Sequence, residues 1–472
     1  MVTGGDYHWN EDFAVVLQGR FFCSSAAALK EKKGRKVGMK NTLHLKAPGD
    51  WINDPNGFIY YQGRYHLFFQ YFPCAPEWGT MHWGHAVSED LIHWTHLGIA
   101  LYPTKDYDRN GMFSGSALEL DGKMYLYYTA VKYLQTDDDY IHHSVPGCLE
   151  QSQALLISED GFSFDNRNAK MQIIPPIADE NIGSAADCRD PKVWKEGEWY
   201  YMVIASTYQQ KEGVLLLYRS EDGVNWSYLN RLQDKRFGNI LECPDLFMVN
   251  DAYVLVSSPI AILKDTDYPE NQSTCQLVSF DAETGEVTLR DSYQFLDYGM
   301  DLYAPQSNLD KDGRRVIISW VRMPEEMAPE DNSASGGRVW NGMMSLPRVV
   351  TVKEGHIYTA VHPNVRAYFE DACCEKINHD CYLEQKREGN SRICTTIKEG
   401  QVLNLDGYQI MLKDGCVCTD RSELLPKKHA LHSVCKSPYV GEQCSLEIYL
   451  EQNLIEIFIN DGQYVISNVI YR

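Results

Sequence analysis

Along most of this chain apolar and polar residues alternate at every second position, in short runs separated by turn-forming residues. A period of two marks the half-buried strand, and no stretch carries the period of about 3.6 that a long amphipathic helix needs. Five of the runs share one form, in which a Gly or Asp turn opens a strand of aromatic and aliphatic residues. They are Gly63-Arg64-Tyr65-His66-Leu67-Phe68-Phe69, Gly122-Lys123-Met124-Tyr125-Leu126-Tyr127-Tyr128, Gly197-Glu198-Trp199-Tyr200-Tyr201-Met202-Val203, Asp251-Ala252-Tyr253-Val254-Leu255-Val256 and Gly313-Arg314-Arg315-Val316-Ile317-Ile318-Ser319-Trp320. A second element, Ser-Glu-Asp, follows the first three at Ser88, Ser158 and Ser220, and each copy precedes an aromatic residue: Trp94, Phe162 and Trp226. The repeat recurs at roughly 55–75 residues, close to one four-stranded propeller blade. Five repeats between 45 and 350 predict a five-bladed β-propeller.

Beyond residue 355 the blade pattern stops, and Cys, Lys and Glu become denser. Alternation resumes in Cys444–Leu450 and Leu454–Ile459, and the Asn460-Asp461-Gly462 break reads as a turn. The chain is therefore expected to be all-β: an N-terminal extension over 1–38, a propeller over 39–354, and a C-terminal β-sandwich over 355–472. In a propeller the innermost strand of each blade lines a central channel. Residues far apart in sequence, one per blade, then meet around one ligand.

Composition narrows the partners. A net charge of −21 over 472 residues argues against nucleic acid or an anionic membrane surface. No run of about 18 apolar residues exists to span a bilayer. Asp6, Glu11 and Asp12 precede the apolar Phe13–Leu17 stretch, which does not read as a secretory signal, and the expected location is the cytoplasm. The chain has 14 Cys without a C-x-x-C pair, so neither a zinc site nor a disulfide framework is expected. His82, His85, His93 and His96 lack a carboxylate partner set and read as structural or rim residues. The Asp137-Asp138-Asp139 run lacks calcium-loop spacing and reads as a solvated loop. No metal and no organic cofactor is expected. Nothing in the sequence decides between a monomer and a homodimer through the terminal domain.

Three carboxylates stand in constrained settings. Asp54 lies in Trp51-Ile52-Asn53-Asp54-Pro55-Asn56-Gly57, Asp190 in Arg189-Asp190-Pro191, and Glu242 in Glu242-Cys243-Pro244-Asp245. Separate carboxylates at strand edges are the parts of a glycoside hydrolase, in which one acts as nucleophile and another as general acid/base. Each also has a plainer reading, as a turn Asp or as a strand-end acid paired with Arg.

The run Trp51–Gly57 resembles the signature of glycoside hydrolase family 32, the invertases and fructan hydrolases. Phe69-Gln70-Tyr71, Trp78-Gly79, His82-Trp83-Gly84-His85, Phe113-Ser114-Gly115-Ser116, Arg189-Asp190-Pro191 and Glu242-Cys243-Pro244-Asp245 follow in the family's order. The resemblance implies a propeller with a terminal sandwich and a retaining β-fructofuranosidase acting on sucrose or sucrose-6-phosphate. It implies Asp54 as nucleophile, Glu242 as acid/base and Asp190 as transition-state stabiliser, the first two with carboxyl groups about 5–6 Å apart. It also implies sugar contacts from Asn53, Gln70, Trp78, Phe113, Ser114, Arg189, Tyr303 and Trp320. Phe72 stands before Pro73 where the family often has Asn, which bears on the leaving-group side. Fructan hydrolysis, fructosyl transfer and a non-catalytic sugar-binding propeller are the alternative readings.

Overall fold

A computed structural model describes residues 14–16, 43–263, 270–323, 338–378, 381–386, 389–425 and 432–471. Five antiparallel sheets follow one another along the chain and form a five-bladed propeller. The innermost strands of blades I to V are Asp50–Tyr61, Met112–Leu120, Cys188–Glu196, Asp245–Val249 and Leu302–Leu309. The repeated Gly or Asp turns join the first strand of each blade to the second. Gln62-Gly63, Asp121-Gly122 and Asn250-Asp251 each place two successive residues at positive φ, the geometry of tight hairpins that match strand twist.

The repeated Ser-Glu-Asp elements are caps on the outer hairpins. Ser88 Oγ accepts from Leu91 N at 2.8 Å, and Asp90 Oδ1 accepts from Ile92 N and His93 N at 2.9 and 2.8 Å. Ser158/Asp160 and Ser220/Asp222 repeat the arrangement. The aromatic that follows packs toward the preceding blade: Phe162 meets His66 edge-on at 5.2 Å, and Trp226 meets Tyr127 at 6.1 Å. Tyrosine hydroxyls latch successive blades, from Tyr61 to Glu159 O, Tyr127 to Gly223 O and Tyr201 to Ala282 O. Much of the aromatic content is thus inter-blade packing. His66 and His85 belong to it as well, stacked in the core with their rings 5.2 Å apart.

The ring closes where Trp340–Asn341, from the blade V segment, pairs in parallel with Asp50–Trp51 of blade I. Blade V continues to Val361 through the strand His356–Val361, beyond the division expected at 354/355. A six-stranded sheet running from Cys373 to Val469 and a second sheet, Val402–Tyr439, then form the sandwich around an aliphatic core. Ala14–Val16 adds a parallel strand beside Val402–Leu405, so part of the expected extension joins the sandwich edge. The rest of 1–38 lies outside the described residues. Among the described residues no helix is long and apolar enough to cross a membrane. None of their His, Cys, Asp and Glu side chains form a group of three or more placed to hold a metal ion.

Propeller and sandwich share a buried ionic cluster. Arg348 of blade V bonds Asp297, Glu456 and Ser467, each at 2.8 Å. His44 bridges Glu451 at 2.6 Å and Glu456 at 3.0 Å.

Candidate active site

The innermost strands break register at the channel mouth. The ladder slips between Ile52 and Pro55, Phe113 and Gly115, Arg189 and Lys192, and Tyr303 and Gln306. An extra residue in one strand re-aims the side chain it carries. In three of these blades a proline marks the break, Pro55, Pro191 and Pro305, and in blade IV Pro244 stands directly before the strand Asp245–Val249; none has an N–H to give to a ladder. In blade II Gly115 takes that place, where a Cβ would sit 2.0 Å from Tyr127 O. The residues before three of the prolines adopt left-handed backbone: Asp190 (φ 62), Cys243 (φ 46) and Ala304 (φ 49). Such geometry costs on the order of 1–3 kcal/mol at a non-glycine residue and persists where surroundings fix it. Here Asp190 N donates to Thr129 Oγ1 at 2.8 Å, Cys243 N to Asp190 Oδ2 at 2.8 Å, and Ala304 N to Ser258 Oγ at 3.2 Å.

These devices bring the three carboxylates together. Asp54 accepts from Ser114 Oγ at 2.5 Å and from Asn53 Nδ2 at 3.1 Å. Both donors are themselves fixed. Gln70 Nε2 donates to Ser114 Oγ at 2.7 Å, and Trp51 Nε1 to Asn53 Oδ1 at 3.0 Å. The Cys243 thiol lies 3.6 Å from Asp54 Oδ2 and 3.6 Å from Asp190 Oδ2, so one sulfur stands between two acids. Glu242 is held from both sides. Arg189 Nη1 donates to its Oε1 at 3.1 Å and Tyr303 OH to its Oε2 at 2.9 Å. Arg189 also pairs with Asp187. Trp320 packs against Cys243, Tyr303 and Ala304, and meets Trp51 edge-on at 5.8 Å.

Trp78 and Phe113 stand one step further out, edge to face at 6.0 Å, with Phe113 directly before Ser114 in the strand. Every site residue expected from the sequence therefore lies in one contiguous arrangement. Trp51, Thr129 and Asp187 are supporting residues that sequence reasoning passed over. Trp51 lay inside the signature and was legible there; Thr129 and Asp187 carried no local signal.

Burial dominates the electrostatics. It pushes the Asp190 carboxyl up to about 7; Arg189 opposes the rise, while the charges of Asp54 and Glu242 add to it. Glu242 is raised by burial, held back by Arg189 and Tyr303, and raised again by Asp54. Asp54 is also raised by burial, against the hydrogen bonds of Ser114, Asn53 and Cys243. Asp190 and Glu242 face one guanidinium with the charge of Asp54 beside them, and the three acids do not all ionise at neutral pH. Asp54, with three donors aimed at it, is best equipped to hold a charge. Glu242 has the environment of a proton carrier.

A propeller whose channel mouth gathers three acids in nucleophile-like and acid-like surroundings is the framework of a glycoside hydrolase. Residues 44–363 match the family model described as "Glycosyl hydrolases family 32 N-terminal domain", and the chain belongs to that family. The chain is 31% identical to a sucrose-6-phosphate hydrolase of Escherichia coli, over 97% of this chain and 94% of that one. It is 32% identical to a raffinose invertase of the same species, over 91% of this chain and 89% of the relative. Among solved structures, a Bombyx mori family 32 β-fructofuranosidase mutant in complex with sucrose superposes with a TM-score of 0.71. That match has 28% identity and covers 92% of this chain and 89% of the other.

Proposed function

We propose that this chain is a retaining β-fructofuranosidase that cleaves the fructosyl bond of sucrose or its 6-phosphate, with the propeller as its catalytic domain. The observation that carries the reading is the division of labour among the carboxylates: Asp54 under Ser114 and Asn53, Glu242 between Arg189 and Tyr303. Asp54 attacks the anomeric carbon C2 while Glu242 gives its proton to the departing glucosyl oxygen. Glu242, now a base, takes a proton from water, and the water releases fructose from Asp54. Asp190 accepts hydrogen bonds from fructose hydroxyls, bonds that strengthen as positive charge develops on the ring. Asn53, Gln70 and Ser114 orient Asp54 and meet the fructosyl unit. Arg189, Tyr303 and Trp320 shape the acid side, and Trp78 and Phe113 wall the leaving group.

The names of the relatives, sucrose-6-phosphate hydrolase and raffinose invertase, support the substrate class. The thirteen cysteines among the described residues are all free thiols, which supports a reducing, cytoplasmic setting. The test is transfer of the fructosyl unit to methanol, followed by NMR. Methyl β-D-fructofuranoside as first product supports a retained, two-step path; the α-anomer, or near-normal turnover by Asp54→Ala, sinks it.

A further inference from the structure

The blade II loop Leu134–Cys148 lies outside the catalytic cluster, yet it crosses to blade I and packs against the outer wall of the site. Tyr140 OH donates to Trp78 O and to Glu77 Oε1, both at 3.1 Å. The His143 ring lies 5.2 Å from the Trp78 ring. His142 Nδ1 bonds Thr80 Oγ1 at 2.7 Å, and its ring meets Phe72 edge-on at 4.8 Å. Phe72 is the one position named above where the motif departs from the family pattern, and this loop rests on it.

The loop is built, not draped. Asp137 N donates to His143 O at 3.0 Å, and Val145 N to Gln135 O at 3.0 Å. Asp137 Oδ1 accepts from Asp139 N and Tyr140 N at 2.8 and 3.1 Å. Its inner end is braced where Tyr133 OH donates to His142 O at 2.6 Å.

Depth assigns the part of the substrate concerned. Ser114 and Asp190 are 2% and 6% exposed at the floor, whereas Trp78 is half-buried and His143 is exposed at the rim. With the fructosyl unit gripped at the floor, the leaving sugar projects past Phe113 and Trp78 to this loop. Acids outnumber cations there: Glu77 sits under Tyr140, and Asp137, Asp138 and Asp139 lie on the loop itself, while Arg109, at the base of the loop on Tyr133 O, is paired with Asp106.

Resting on the β-fructofuranosidase reading, we infer that Leu134–Cys148 is the leaving-group specificity element of this enzyme. Tyr140, His142 and His143 are positioning residues that hold the Trp78 wall. The acidic rim selects a neutral leaving sugar over a phosphorylated one.

The experiment compares kcat/KM on sucrose, sucrose-6-phosphate and methyl β-D-fructofuranoside, whose methyl group is too small to reach Trp78. Wild-type protein should favour sucrose over its 6-phosphate by about tenfold at low ionic strength, less in high salt. His143→Ala and Tyr140→Phe should each lower the ratio of sucrose to methyl fructoside by about fivefold, chiefly through KM. Damage to the fold alone would lower both substrates together and leave the ratio untouched. Unchanged ratios, or a preference for the phosphorylated sugar, overturn the inference while the hydrolase reading stands. Absence of fructose from all three substrates sinks both.

Discussion

The channel mouth and the propeller–sandwich seam both bury carboxylates, and Glu456 of the seam is treated in the opposite way to the acids of the mouth. Its neighbour Asp297 is still raised by burial against Arg348 and Ser467. At the mouth burial wins: Asp190 rises to about 7, and Glu242 rises with it. At the seam burial would raise Glu456 too, yet Arg348 and His44 hold it at about 2. The difference lies in the count of compensating partners. Glu456 receives a guanidinium, an imidazole and the Leu346 amide, the last at 2.8 Å. At the mouth Glu242 and Asp190 have one guanidinium between them, part of which is already given to Asp187, and Asp54 relies on hydrogen-bond donors. Where a full set of partners surrounds the acid, as at Glu456, its charge is fixed, whereas a site that moves a proton leaves its charges under-compensated.

The largest break of this comparison is at the mouth. Asp54→Ala should lower kcat/KM on sucrose by on the order of 10⁴-fold or more, with little change in the thermal midpoint. Glu242→Gln should cost roughly 10²–10⁴-fold, because protonation of the leaving oxygen is lost. A loss at either position explained by unfolding, read from circular dichroism, would contradict the separation of roles.

At the seam the sign reverses. Arg348→Met takes the guanidinium from Asp297 and leaves Glu456 with His44 as its cation, and should destabilise the protein by about 3–5 kcal/mol. The molecules that remain folded should keep wild-type kcat. Urea unfolding with residual-activity assays checks both halves. A fall in kcat without a stability change would show that the seam serves chemistry after all.

Asp190→Asn sharpens the contrast. The folded-state carboxyl titrates at about 7, above its ordinary 3.8, so its ionisation opposes folding. The penalty is absent below pH 3.8, grows between pH 3.8 and about 7, and is full above that. The amide carries no such penalty, and Asn tolerates the left-handed backbone at this position. The variant should therefore be more stable than wild type by about 1–3 kcal/mol at pH 8, equally stable at pH 3.5, and catalytically crippled. Equal urea midpoints at pH 8 would remove the argument that burial is under-compensated here.

The smallest effect is expected at His44. Burial would depress its imidazole, but Glu451 and Glu456 raise it to about 9. A raised pKa gives stability that is full below about 6.5 and lost as pH climbs through about 9. Wild type should thus lose more stability than His44→Gln between pH 7 and 9.5, by about 1 kcal/mol. Parallel pH profiles of the two proteins would show that His44 is neutral in the seam.

Much of this was legible in the sequence because the site is written in short, local signals. Pro55, Pro191 and Pro305 break their own strands, Pro244 directly precedes one, and Asn53, Ser114 and Arg189 each sit beside a residue singled out in the sequence. The five repeats counted the blades through alternation and turn chemistry, which are properties of neighbouring residues. The extent of blade V was less legible. His356–Val361 alternates like any strand, and only its pairing with Arg348–Lys353 assigns it to the propeller.

By itself, then, the sequence determined the β architecture and the number of blades and singled out the three carboxylates proposed as catalytic, since each depends on residues a few positions apart. Tertiary structure alone decided how those acids behave and what surrounds them. The Cys243 thiol between Asp54 and Asp190, Arg189 shared by Glu242 and Asp187, and the seam of His44 with Glu451 and Glu456 join residues from different blades or domains. So does the docking of Tyr140 and His143 on Trp78. The energies of these contacts depend on burial and on distances across the channel, the rim and the seam. Both are set only when the blades close into a ring and the sandwich docks against them.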